Sequence, residues 1–159
     1  MNEIRAIMAA EADAVFSLVQ ETIQKIYPRF YSPDEVLFFR QLHNKEAIAR
    51  DILAGAVYGL FWGNRLVGTG SRRGRHIVRL FVAPDLQRQG IGSKLLEYLE
   101  GEIGKTEDCV FLDASKPAEL FYHRRGYQIV RQEQWPLESG DALVWNVMEK
   151  KLGQLSWNR

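Results

Sequence analysis

Leu80-Phe81-Val82-Ala83-Pro84-Asp85-Leu86-Gln87-Arg88-Gln89-Gly90-Ile91-Gly92-Ser93 is the stretch that decides how this chain folds. It opens as an apolar strand, which Pro84 ends. A polar turn follows, and two glycines stand where a long helix begins; Ile91, Leu95, Leu99 and Ile103 recur at helical spacing between Gly90 and Lys105. Free backbone N–H groups at a helix start, together with the helix dipole, make an anion site. Gly90 and Gly92 clear side chains from the approach, and Gln87, Arg88 and Gln89 add donors. The plainer alternative is a tight strand-to-helix turn with no ligand. Other phosphate motifs do not fit. There is no G-x-x-x-x-G-K-[ST], Leu95 occupies the third glycine position of G-x-G-x-x-G, and after Gly68-Thr69-Gly70 the next glycine, Gly74, comes one residue late in strand-like sequence.

Outward from this turn, His76 to Val82 reads as a strand, preceded by strands Ala56 to Trp62 and Leu66 to Ser71 joined at Gly63-Asn64. Downstream come a buried strand, Cys109 to Ala114, a helix from Pro117 to Arg125 stopped by Gly126, and a strand pair, Tyr127 to Trp135 and Ala142 to Glu149. Upstream, Glu3 to Ile7 is strand-like. Ala10 to Ile26 is an amphipathic helix with Val15, Leu18, Val19 and Ile26 on its stripe, broken by Tyr27-Pro28. Ser32 caps a second helix with Pro33 in its first turn, and Asn44 caps a third through Leu53, closed by Gly55. The order predicts a mixed α/β sheet with helices on both faces.

The 159 residues suit one domain, 1–159, and 46% hydrophobic residues speak against disorder. A formal charge of +1 gives no general pull toward nucleic acid or membrane. Cys109 is the single cysteine, which fits a reducing compartment. No apolar run approaches the roughly 20 residues of a membrane span, and Met1 to Arg5 does not read as a signal peptide, so a cytoplasmic protein is expected. His43, His76 and His123 lack ligand spacing with the cysteine, so no metal is expected.

Gln87-Arg88-Gln89-Gly90-Ile91-Gly92 resembles the Q/R-x-x-G-x-G/A signature of the GCN5-related N-acetyltransferases. Leu112-Asp113-Ala114-Ser115, then Ala118 to Tyr122 and Arg125-Gly126-Tyr127, resemble the next motif of that superfamily. His76 to Val82 and Tyr31 to Ile48 look like a bacterial branch whose acceptor the resemblance does not specify. The resemblance implies the acyl-CoA N-acyltransferase fold: α/β, with a mixed, mostly antiparallel central sheet, a V-shaped splay and helices on both faces. It implies an acetyl-CoA-dependent N-acetyltransferase, with acetyl-CoA as donor substrate and no metal. The pyrophosphate would meet Gln87, Arg88, Gln89, Gly90, Ile91, Gly92 and Ser93. The pantetheine arm would pair with Leu80, Phe81 and Val82, and the Leu80 N–H, freed by a bulge, would receive the thioester carbonyl.

Catalytic roles follow from the same resemblance. A lysine-like amine is mostly protonated at neutral pH, and correcting this costs about 4 to 5 kcal/mol. Tyr122 is the expected acid for the leaving thiolate; the alternative is a packed, hydrogen-bonded tyrosine. His76 is the candidate base; the alternative is a structural histidine beside Arg75. Ser115 stands where many members carry an asparagine that contacts the cofactor, and serine also suits capping the following helix. A covalent acetyl-Cys109 is the rival mechanism, against core packing on a buried strand.

Family variation in the first helices and last strand pair shapes the acceptor pocket. Here Tyr27, Phe30, Tyr31, Phe38 and Phe39 cluster, and Tyr27 and Tyr31 are the candidate substrate contacts for a small-molecule amine, or otherwise core residues. Arg72, Arg73, Arg75 and Arg79 read as a charged strand edge, as contacts for the 3′-phosphate of coenzyme A, or as contacts for an acidic acceptor. Alternatives to a small-molecule acetyltransferase are a protein or peptide acceptor, a non-catalytic acyl-CoA-binding module, and a nucleic-acid binder. A homodimer is compatible with the resemblance.

Overall fold

Two helix starts follow from local chemistry. In the computed structural model, which describes residues 2–153, the Ser32 hydroxyl accepts the Glu35 N–H at 3.3 Å while the Glu35 carboxylate accepts the Ser32 N–H at 2.9 Å. This box opens α2 (Pro33–Leu42), and Asn44 Oδ1, accepting the Ala47 N–H at 2.8 Å, opens α3 (Lys45–Leu53). Helix α1 (Ala12–Ile26) begins later than expected. Glu11 folds back onto the Met8 N–H at 2.9 Å and pairs with Arg5 at 2.7 Å, holding Ala9–Glu11 in a tighter 3₁₀ turn. The remaining elements are β1 (Asn2–Ala6), β2 (Val57–Trp62), β3 (Arg65–Arg73), β4 (His76–Val82), α4 (Ile91–Ile103), β5 (Cys109–Ala114), α5 (Glu119–Arg124), β6 (Gln128–Pro136) and β7 (Ala142–Lys151). The helix expected from Pro117 divides into a 3₁₀ turn, Lys116–Ala118, and α5. Ser115 precedes it without a side-chain cap bond, so the capping alternative for Ser115 is not realised.

Among the described residues, seven strands form one sheet in the order β1-β2-β3-β4-β5-β7-β6. Every pairing is antiparallel except β4 with β5. That parallel pairing covers only His76↔Phe111 and Ile77↔Leu112, after which the two strands part: this is the V-shaped splay. A bulge sits beside it. Ser71 pairs with Arg79 and Arg72 with Ile77, leaving Val78 as an extra residue that resets the alternation of β4.

One face of the sheet packs against α1 and α3 through Val15, Val19, Ile23, Ile48, Phe81 and Leu143. The other packs against α4 and α5 through Ile77, Leu96, Leu99, Val110, Leu112 and Tyr122. Gly68 and Gly70 allow α4 to lie flat on β3: a Cβ on Gly68 would come within 2.7 Å of Leu95, and one on Gly70 within 2.7 Å of Leu99. Their place in the sequence is explained by packing. Among the described residues, no helix is long and apolar enough to cross a membrane.

Candidate active site

Beyond Val82 the chain makes a 3₁₀ turn, Pro84–Leu86. It then passes through two left-handed residues, Arg88 at φ 63° and Gly90 at φ 82°, before α4. Glycine meets that requirement at position 90 without strain. The first bond of the helix runs from the Lys94 N–H to the Gly90 carbonyl, at 3.1 Å, so the N–H groups of Ile91, Gly92 and Ser93 have no partner within the helix. The Gln87 side chain does not reach outward as expected: it donates to the Val82 carbonyl at 2.7 Å and closes the turn. Gly92 also differs from expectation, because the space its Cβ would fill is bounded by Phe121 at 3.3 Å and Val82 at 3.6 Å, whereas Gly90 faces open space.

Arg125 is a member of this site that sequence reasoning missed. Its Nε donates to Ser93 Oγ at 2.9 Å, a second guanidinium nitrogen contacts the same oxygen, and the guanidinium lies 3.9 Å over the Phe121 ring. Among the described residues no carboxylate pairs with it. A free cation thus stands beside the open end of α4.

In the C-terminal half of β4, the end that leads into this turn, the splay exposes backbone. The Ala83 N–H donates to the Val67 carbonyl at 2.9 Å. Alternation along an antiparallel strand therefore turns Phe81 and Arg79 toward β3 as well. Leu80 and Val82 direct their N–H groups the opposite way, into the gap that β5 has left. The Phe81 N–H is committed to the sheet, so of the three expected pantetheine partners it offers only a side chain.

A cavity of about 450 Å³ opens on this gap. Its walls come from β4 (Leu80, Phe81), the turn after α1 (Tyr27), α2 (Phe39), β5 (Asp113) and the residue after it (Ser115), α5 (Tyr122) and β7 (Leu143, Trp145). A helix start free to hold phosphate, a strand with outward N–H groups and a partly open cavity beside that strand follow one another along β4 and the turn after it. A family model described as an acetyltransferase (GNAT) domain matches residues 28–151. The chain belongs to the GNAT acetyltransferases. It is an acetyl-CoA-dependent N-acetyltransferase, and acetyl-CoA is its acetyl donor. It is 28% identical over 134 residues to the uncharacterized N-acetyltransferase YafP of Escherichia coli K12, covering 82% of this chain and 84% of that one. A GCN5-related N-acetyltransferase structure from Rhodopseudomonas palustris superposes with a TM-score of 0.85 at 24% identity, covering 96% of both chains. The PaiA N-acetyltransferase of Thermoplasma acidophilum, solved in complex with coenzyme A, gives 0.74 at 19% identity, covering 95% of this chain and 99% of that one. The open fold seen in those proteins is the fold described above.

Within this acetyltransferase the expected catalytic residues separate. Tyr122 lies in the cavity wall, 5% exposed; burial pushes its phenol well above the usual range, and none of the described residues accepts or donates a hydrogen bond at its hydroxyl. His76 is not in the wall. It sits where β4 and β5 are still paired, and its Nε2 is 3.3 Å from Asp113 Oδ2. Asp113 stands between His76 and the cavity, and its other oxygen accepts the Trp145 indole N–H at 3.1 Å. Hydrogen bonding to His76, with a smaller contribution from Trp145, holds the Asp113 carboxyl below its ordinary range against the effect of burial.

His43, unassigned by the sequence, also lies in the wall. Its Nδ1 accepts the Arg79 Nε–H at 3.1 Å, so the ring is neutral with its proton on Nε2. Burial, and secondarily the Arg79 charge, lower its pKa to about 3. Arg79 is 6% exposed and 2.5 Å from Asp51, which also pairs with Arg73 at 3.2 Å.

The arginine run is therefore not an open basic patch. Arg79 is a buried wall residue, Arg73 pairs with Asp51, Arg72 donates to the Gly74 carbonyl and Arg75 covers Phe111 and Cys109. Arg72 and Arg73, at the end of β3, and Arg75, in the turn before β4, lie the length of β4 from the phosphate turn, about 20 Å at strand rise, so the 3′-phosphate reading is corrected.

Tyr27 lines the cavity, and burial raises its phenol with Ser115 working against the rise. Tyr31 does not line it. Its hydroxyl accepts the Lys116 N–H at 2.7 Å, pinning the connection between α1 and α2 to the turn after β5, and burial pushes its phenol up to about 12. Cys109 lies on the paired end of β5, away from the cavity, and burial raises its thiol, both of which favour packing over nucleophilic work.

Proposed function

We propose that the protein transfers acetyl directly from acetyl-CoA to a primary amine of a small molecule, with both substrates bound together. The observation that carries this is the outward Leu80 N–H beside a partly open cavity. The Ile91, Gly92 and Ser93 N–H groups, with Arg125 beside them, suit the pyrophosphate. The Leu80 N–H donates to the thioester oxygen as it gains charge. The amine nitrogen attacks the carbonyl carbon, the C–N bond forms and the C–S bond breaks. Tyr122, kept protonated by burial, gives its proton to the departing sulfur and regains one from the amine. The ammonium sheds its first proton toward Asp113, from which His76, 34% exposed at its side chain, leads to water. The products are the N-acetyl amine, coenzyme A thiol and one released proton.

Tyr122→Phe tests the acid. Thiol release at saturating substrates is expected to fall by about 10²-fold or more, with the KM for acetyl-CoA little changed; an unchanged turnover number removes the role. Intersecting initial-velocity lines support the ternary complex, whereas parallel lines together with an acetylated Cys109 refute it.

A further inference from the structure

We propose that the acceptor is a primary monoamine carried on an aromatic or branched apolar body, its ammonium received by the Asp113 carboxylate. This rests on the acetyl-transfer assignment and narrows it to a substrate class. Tyr27, Phe38, Phe39, Trp135 and Trp145 supply aromatic rings to the cavity. Two of its apolar wall residues, Leu42 and Trp135, remain 50% and 55% exposed, a greasy rim that a protein with an apolar ligand has reason to keep. The volume, about 450 Å³, lies in the range of small-molecule sites and accommodates one ring system with a short arm.

Among the described residues, two charged residues belong to the wall, Arg79 and Asp113. Arg79 is neutralised by Asp51 at 2.5 Å and spends its Nε–H on His43, so it does not recruit an acidic acceptor. Asp113 accepts one bond from Trp145 and faces His76 with its other oxygen, which leaves lone pairs for an ammonium. It is half-exposed and lines the cavity, so an ammonium on a short arm can reach it while the body of the amine lies among the rings. A polyamine would place its second ammonium against apolar walls that, among the described residues, offer no further carboxylate, at a desolvation cost on the order of several kcal/mol. A peptide would have to seat polar backbone on the same rings.

The experiment measures coenzyme A thiol release at saturating acetyl-CoA with 2-phenylethylamine, tryptamine, spermidine and an alanyl peptide, beside calorimetric binding of acetyl-CoA. The aryl amines are expected to exceed spermidine and the peptide in kcat/KM by about 100-fold. Asp113→Asn is expected to raise the KM for 2-phenylethylamine at least about tenfold while leaving acetyl-CoA affinity within about twofold. Saturable quenching of tryptophan fluorescence by 2-phenylethylamine, weakened in the same variant, reads binding without turnover. A preference for spermidine or the peptide, an unchanged KM in Asp113→Asn, or no aryl-amine turnover by a protein that still binds acetyl-CoA overturns the inference. Failure to bind acetyl-CoA at all strikes the donor site, and the inference falls with it.

Discussion

Asp51→Asn isolates the ion pair that holds the cavity wall. The native carboxylate is 12% exposed and lies 2.5 Å from Arg79, itself 6% exposed, and 3.2 Å from Arg73. Burial alone would raise the Asp51 carboxyl, yet hydrogen bonds from Arg79 and Arg73 hold it below its ordinary range, so the ionised form is the one the fold selects. Asparagine keeps the volume and removes the charge, which leaves the Arg79 guanidinium buried against a neutral partner. Breaking a buried pair from one side costs about 3–5 kcal/mol. Arg73 is 61% exposed and adds little, because water replaces its partner. At about 2–4 °C per kcal/mol for a chain of this size, the melting temperature falls by about 6–20 °C. The assay is reversible thermal unfolding followed by circular dichroism at pH 7.5. The double variant Asp51→Asn, Arg79→Met removes both charges and is expected to recover most of the loss. A single variant within about 1 kcal/mol of the wild type, or a double variant no better than the single, refutes the reasoning.

Arg125→Ala is expected to weaken acetyl-CoA binding by about 5- to 30-fold, the worth of one charge-assisted contact. Arg124→Ala, on the exposed side of α5, is the unaffected control, and calorimetry at two salt concentrations reads both. Acid stability should report His43. Its folded pKa of about 3 lies below its unfolded value, so the unfolded state gains the proton first as pH falls, and stability is lost on acidification below about 6.5. The loss is up to about 2 kcal/mol between pH 6.5 and 5. It should appear as a falling urea midpoint in the wild type and a flatter one in His43→Gln; equal slopes count against the buried neutral ring.

What the sequence revealed was what is local. The turn from Leu80 to Ser93, the Ser32 and Asn44 caps and the Gly63-Asn64 hairpin each involve neighbours within a few residues, so residue type and spacing carry them. The splay was legible only through resemblance, because nothing in the composition of β4 or β5 says where a parallel pair stops. Ser93 with Arg125, His76 with Asp113 and Arg79 with His43 are 32, 37 and 36 residues apart and meet only after the sheet forms. Their separation left no periodic signal. Gly68 and Gly70 looked like an incomplete phosphate loop because glycine serves both close helix packing and ligand approach, and only the helix above them tells the two apart. Arg79 looked like part of a basic run for a similar reason: its neutralising partner, Asp51, lies on α3, 28 residues earlier.

The most direct test is a titration of the ¹⁵N-labelled protein with acetyl-CoA, followed by amide resonances. The amides of Leu80, Ile91, Gly92 and Ser93 are expected to shift strongly, and those of Arg79 and Phe81, turned toward β3, much less. Large shifts confined to Arg72, Arg73 and Arg75, with Leu80 and the start of α4 unmoved, would contradict the account.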